Sequence, residues 1–226
     1  MDDGDLLVEQ LPRKRRALRI AIVTETYPPD ANDVALSAAR LVDGLRRREH
    51  DIQLVRPRRH LGECATGSGG LEEFLTHGLP IRHPALRVGL PATRALSRLW
   101  SRSRPDVVHV LTQGPLGWSA LRAARRLKVP VVSEFHAQFA GPRWLGKPIL
   151  AYLLKFHERT LWTLVPSEAL YAELAGLGFR NVRVVARHRW DLAARQIETL
   201  FEIAAGAAPA CRAASVGRRR PALQGT

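Results

Sequence analysis

Apolar and polar positions along the chain follow two rhythms. Short segments rich in Val, Ile and Leu, LRIAIV (18–23), DIQLVRP (51–57), PDVVHVLT (105–112), PVVSEFH (130–136), TLVPS (163–167) and NVRVVA (181–186), read as strands, and 18–23 has the length and Ile/Val content of one buried on both faces. Between them, apolar residues recur at helical spacing over 34–48, 92–103, 115–128, 142–160 and 168–178. Over 34–48 the stripe is Val34, Leu36, Leu41, Val42 and Leu45, with arginines opposite. Over 142–160 it is Ile149, Leu150, Leu153, Leu154 and Phe156. Pro115 suits a first helical turn, and Gly178 is placed to end the helix that starts near 168. GLPIRHP (78–84) has room for a short strand between prolines, and the Gly/Ser-rich stretch 58–70 reads as a mobile loop.

Strands and helices in alternation, joined by short connections, predict an α/β fold. It is a single Rossmann-like domain with a parallel sheet, right-handed crossovers and helices on both faces. The expected organisation is a basic flexible leader over 1–17, the domain over 18–187, a terminal helix over 188–205 and a disordered tail over 206–226. Trp190, Ile197, Leu200, Phe201 and Ile203 give the terminal helix an apolar face that would pack back on the domain.

Composition narrows the function classes. A chain of 226 residues, 46% hydrophobic and 25% charged, can bury a sizeable core. No run reaches the roughly 18–20 apolar residues of a membrane span. The acidic start MDDGDLLVEQ lacks a signal-peptide core, so a cytoplasmic location is expected. Cys64 and Cys211 suit neither a disulfide framework nor a metal site. His50, His60, His77, His83, His109, His157 and His188 show no ligand spacing either, and no metal is expected. The net charge is +14, and only Lys14, Lys128, Lys147 and Lys155 of the 35 basic residues are lysine. Such arginine richness has two readings, a GC-rich genome or attraction to phosphate. The arginines spread over several helices without a recognisable reading motif, which argues against a nucleic-acid partner. No Gly-x₄-Gly-Lys-[Ser/Thr] or Gly-x-Gly-x-x-Gly turn is present, so nucleotide binding by this chain alone has no sequence support and no cofactor is expected.

Three segments carry a resemblance. RIAIVTETYPPDANDVALSAARLVDGLRRREHDIQLVRPR (19–58), RPDVVHVLTQGPLGWSALRAARRLKVPVVSEFHAQF (104–139) and TLVPSEALYAELAGLGFRNVRVVAR (163–187) resemble, in the same order, the N-terminal domain of glycosyltransferase family four, of the two-domain GT-B architecture. The resemblance, nearest to the bacterial mannosyl- and glycolipid-forming branch, implies retaining transfer of a sugar, with mannosyl the candidate, from a nucleotide-sugar to a lipid or cell-envelope acceptor. In the family the N-terminal domain shapes the acceptor side. The C-terminal domain binds the donor and supplies a basic pair and a Glu-x₇-Glu element. After VVAR (184–187) family members continue into that second domain, whereas this chain passes to HRWDLAARQIETLFE (188–202), which resembles the closing helix of full-length members. The expectation is an internal deletion with its seam near Arg187/His188, and a chain that is incomplete and inactive alone. The alternative is a non-catalytic module that binds an acceptor or an anionic membrane.

The resemblance also marks residues. His136 matches the histidine of the family's Phe-His-x-x-Phe pattern, which faces the transferring sugar, and is the catalytic candidate. Asn32, Asp33, Gln113, Gly114 and Gln138 fall at acceptor-side positions. Asp33 stands where the family has glycine, so it either contacts the acceptor or caps the following helix. Asn32 has a second reading as a turn former. Tyr27, Pro28 and Pro29 shape the first loop, and Ser167 is expected to cap a helix. Glu134 and His136 share a strand face, but alternation makes such coincidences common, and no acid/base pair is expected. Arg94, Arg98, Arg102 and Trp144 are the membrane-contact candidates, implying a peripheral position at the inner face of the cell membrane. Solvated helix faces are the alternative.

Overall fold

The computed structural model describes residues 16–80, 87–136, 146–185 and 190–207. Chain order is β1 (Arg19–Val23), α1 (Asp33–Arg46), β2 (Asp51–Pro57), β3 (Gly67–Ser68), β4 (Leu71–Thr76), β5 (Gly78–Pro80), β6 (Arg87–Gly89), α2 (Thr93–Arg102), β7 (Val107–Val110), α3 (Pro115–Arg126), β8 (Val131–Glu134), α4 (Lys147–His157), β9 (Trp162–Val165), α5 (Glu168–Gly176), β10 (Val182–Val184) and α6 (Trp190–Ala207). Eight strands form one sheet in the order β10-β9-β8-β7-β1-β2-β4-β3. From β10 to β4 every pairing is parallel.

Side-chain alternation along β1 explains why both faces need cover. Ile20 and Ile22 enter one cluster with Leu41, Val42 and Leu45 of α1 and Ile197 and Phe201 of α6. Ala21 and Val23 point the other way, into Leu96 and Trp100 of α2 and Leu116, Ala120 and Ala124 of α3. A third cluster joins Phe135, Leu153, Val165, Leu170, Leu174, Phe179 and Val182 at the β9–β10 end.

The structure departs from the sequence expectations in several places. The sheet carries an antiparallel edge strand, β3, and a separate two-stranded hairpin, β5–β6. Within 58–70, Gly69 and Gly70 take positive φ (49° and 81°), turning the chain from β3 into β4. Arg46 holds this turn through the carbonyls of Ser68 and Gly69. β4 (LEEFLT) escaped a pattern search because Glu73 turns inward, where it pairs with the buried Arg56 at 3.2 Å. On α1 the buried stripe is Ala35, Ala38, Leu41, Val42 and Leu45, while Leu36 is exposed. α6 lies close to this helix. A Cβ on Gly44 would stand 3.1 Å from the Cβ of Ala194. On α4, Leu153 and Phe156 are buried but Ile149 is exposed, and Ile203 of α6 faces outward.

Asp33 does not cap α1. Asn32 does: its Oδ1 accepts from the N–H of Ala35 at 2.9 Å, leaving Asp33 exposed as an acid in the first turn. Ser167 caps α5 through the N–H of Leu170, and Gly178 (φ 97°) follows its end.

Polar anchors fix α6. Buried Glu198 meets both Arg48 and His50, the latter at 3.1 Å. His50 Nδ1 accepts from the N–H of Leu18, so its proton sits on Nε2 and is donated to Glu198. Gln138, Trp144, the Arg187/His188 junction, most of the leader and the tail lie outside the described residues.

Candidate functional site

Strand order reverses at one point of this sheet. β2 leaves β1 on one side and β7 lies on the other, so the carboxyl ends of β1 and β7 open a crevice between divergent connections. Open α/β sheets bind ligands at such points.

The connection after β1 forms the first wall and is held by its own polar groups. Thr24 Oγ1 donates to the carbonyl of Thr26 at 2.8 Å, and Asn32 Nδ2 donates to Thr26 Oγ1 at 2.7 Å. Asn32 therefore uses its amide nitrogen on the loop and its amide oxygen on the helix, fixing how α1 enters. Glu25 projects from the same connection. Its N–H donates to Thr112 Oγ1 at 3.0 Å, tying the ends of β1 and β7 together.

The Glu25 carboxylate reaches the first turn of α3, which has neither an acidic residue nor a side-chain cap of its own. Leu116 N–H donates to Glu25 Oε1 at 3.4 Å. Gly114 makes room for it, since a Cβ there would collide with the carboxyl group. Burial pushes the Glu25 carboxyl up to about 7, outweighing the backbone N–H groups of Leu116 and Gly89, which favour the ionised form. A group titrating there holds or releases a proton near neutrality.

Gln113 links this wall to β8. Its Nε2 donates to the carbonyl of Glu134, and its own carbonyl accepts from the Tyr152 hydroxyl at 2.5 Å. Tyr152 is 42% exposed on α4 and meets Trp118 edge-on at 5.8 Å. Burial pushes the Tyr152 phenol up, and the charge of Glu25 adds to the rise.

At the end of β8 the structure makes a contact that alternation alone did not favour. Glu134 Oε1 lies 3.2 Å from His136 Nε2, and Glu134 Oε2 lies 3.7 Å from His109 Nε2. Glu134 and His109 are buried, while His136 is partly open. The Glu134–His136 approach is within ion-pair range but off the hydrogen-bond line. His109 in turn meets Phe201 of α6 edge-on at 5.2 Å. The arrangement can orient His136 at the crevice mouth and present carboxyl, amide, phenol and imidazole groups to a hydroxyl-rich ligand.

Of the sequence candidates, the fold gathers Gln113, Gly114 and His136 around the ends of β7 and β8, and places Asn32 and Asp33 at the start of α1. Arg94, Arg98 and Arg102 lie exposed on α2. Sequence reasoning passed over Glu25, His109 and Tyr152. For Glu25 a signal existed, a charged residue one position beyond Thr24 at the carboxyl end of a buried strand. Among the described residues no group of His, Cys, Asp and Glu could hold a metal ion, and no helix is long and apolar enough to cross a membrane.

Comparison with known proteins agrees with this architecture. The Glycosyltransferase Family 4 pattern matches residues 34–188. A GDP-mannose-dependent alpha-mannosyltransferase of Mycolicibacterium smegmatis is 32% identical over 183 residues, covering 76% of this chain and 47% of that enzyme. Its namesake from Mycobacterium tuberculosis is 32% identical over 184 residues, again covering 76% and 47%. The chain thus spans about half the length of the curated relatives it matches. Among solved structures, a sucrose-phosphate synthase chain from Thermosynechococcus elongatus superposes with a TM-score of 0.62 at 11% identity, covering 82% of this chain and 98% of that one. A longer chain of the same enzyme gives 0.59 at 12% identity, with 75% and 48% covered. The fold is that of the N-terminal, Rossmann-like half of the GT-B architecture, and the chain belongs to Glycosyltransferase Family 4.

Proposed function

We propose that the chain is the acceptor-side half of a mannosyl-transferring glycosyltransferase, acting with GDP-mannose on a hydroxyl of a lipid or glycan acceptor. The observation that carries this reading is the crevice between β1 and β7, where Glu25, Gln113, Gly114 and the Glu134–His136 pair converge. The namesake function of the mycobacterial relatives supplies the donor. His136 is the group beside the reacting sugar, with Glu134 Oε1 3.2 Å from its Nε2. Gln113 and Gly114 shape the acceptor wall, with Asn32 and Asp33 at its α1 side, and Gln138 is a further acceptor-binding residue.

Retaining transfer requires the departing nucleotide diphosphate to be stabilised by pre-positioned positive groups and dipoles. In the family a second domain supplies these, so this half alone is expected not to turn over. No nucleotide cofactor is assigned to it, and its place is the cytoplasm or the inner membrane face. The test is transfer from GDP-mannose to methyl α-D-mannopyranoside by the purified chain and by His136→Ala. We expect equal, background product from both; turnover by the wild type above the variant would contradict the half-enzyme reading.

A second reading, binding of an anionic membrane without catalysis, has one observation in its favour. Arg94, Arg98 and Arg102 are exposed on α2, and Arg122, Arg125 and Arg126 are exposed on α3, which packs against it. Arg94 and Arg98 also line a cleft of about 650 Å³ with Thr76, His77 and Leu90. Salt-sensitive co-sedimentation with anionic vesicles would support it.

A further inference from the structure

Glu25 lies outside the span matched to the family pattern, and its surroundings are built around its carboxyl group. We infer that Glu25 is an acceptor-binding residue whose carboxylate accepts hydrogen bonds from the hydroxyls of a carbohydrate in the crevice between β1 and β7. The inference rests on the acceptor-side reading above and assigns a residue and a ligand chemistry to it.

Three independent features support it. First, position: Glu25 sits immediately past β1 at the reversal of strand order, where ligands enter open α/β sheets. Second, fit: residue 114 has no side chain where one would strike the carboxyl group, and the first turn of α3, which has no acid of its own, donates the Leu116 N–H to Glu25. Third, the facing wall: Tyr152, partly exposed and braced by Trp118 and by the carbonyl of Gln113, offers an aromatic surface close enough for its phenol to feel the Glu25 charge. A carboxylate beside an aromatic ring suits a pyranose, which pairs hydroxyl donors with an apolar C–H face.

A purely structural role, capping α3, makes a different prediction from ligand binding. In Glu25→Gln the amide oxygen can still accept from Leu116 N–H, but the charge is gone. The full chain would be titrated with methyl α-D-mannopyranoside and an α-linked mannobioside by NMR, alongside Glu25→Gln, Gly114→Ala and, as a control, Glu158→Gln on the exposed surface. We expect at least tenfold weaker binding in Glu25→Gln and in Gly114→Ala, whose new Cβ displaces the carboxyl group, with Glu158→Gln unchanged. Should Glu25→Gln not fold, Gly114→Ala decides alone. Wild-type affinity in a folded Glu25→Gln or Gly114→Ala overturns the inference while leaving the acceptor reading intact. Absence of binding by the wild type itself overturns the acceptor reading, and this inference with it.

Discussion

Glu25 is a residue at which stability and function oppose each other. Its carboxyl titrates at about 7 in the folded chain against an ordinary 4.5. Below pH 4.5 the group is protonated folded or unfolded, and contributes nothing. Between pH 4.5 and 7 the unfolded chain releases the proton first, so stability falls as pH rises. Above pH 7 the penalty is complete, and a shift of this size corresponds to about 3 kcal/mol. Glu25→Gln carries no proton to release. Urea unfolding at pH 5 and pH 8 should therefore show the variant gaining on the wild type by up to about 3 kcal/mol across that interval. A constant difference at both pH values would contradict the buried, raised carboxyl. Retention of a destabilising acid at a crevice is what a binding role would require.

Single residues also show where a sequence can and cannot be read. That His136 stands just past a strand was legible, because PVVSEFH carries a strand's pattern and β8 ends at Glu134. The capping of α1 was assigned to the wrong neighbour, since Asn32 and Asp33 both suit an N-cap and only the backbone decides between them. Glu25 and Tyr152 come within electrostatic range of each other across more than a hundred residues, which no local pattern encodes.

At the scale of elements, α6 is the piece whose attachment can be tested. Ile197 and Phe201 are fully buried against α1 and β1, and Glu198 carries the polar anchor to Arg48 and His50. Removing one member of a buried charge cluster leaves the others unpaired, which costs roughly 3–5 kcal/mol. Glu198→Ala should lower stability by about that amount, and hydrogen exchange over 193–206 should rise ahead of exchange in β1 and β7. Uniform loosening of the chain, or no change, would show that α6 is not held this way. The alternation of strands and helices made most of these elements legible. The exceptions are instructive. β4 was hidden by Glu73, an acid turned inward to Arg56, and β3 by two glycines whose positive φ makes a turn out of an apparent loop. In α1 Ala35 and Ala38 are buried and Leu36 is exposed, so the buried face is rotated from the one the larger apolar residues suggest, a tertiary outcome that periodicity alone does not carry.

For the whole molecule, the sheet order sets where chemistry can occur. Helices cover both faces, and the carboxyl ends of β1, β7 and β8 gather Glu25, Gln113, Gly114, Glu134 and His136 at one rim. His109 extends that rim inward to Phe201, so the closing helix packs on the far side of the same buried group that meets Glu134. The basic residues of α2 and α3 lie on two adjoining helices, and Arg94 and Arg98 line a cleft of their own. The most direct measurement of the acceptor-side account is a map of backbone amide shifts in the purified chain on adding methyl α-D-mannopyranoside and, separately, GDP-mannose. The account predicts that the glycoside perturbs Glu25, Gln113, Gly114 and His136 at low millimolar concentration, while GDP-mannose gives no tighter, nucleotide-specific response. Perturbation by the nucleotide-sugar alone, or glycoside shifts confined to the opposite ends of the strands, would contradict it.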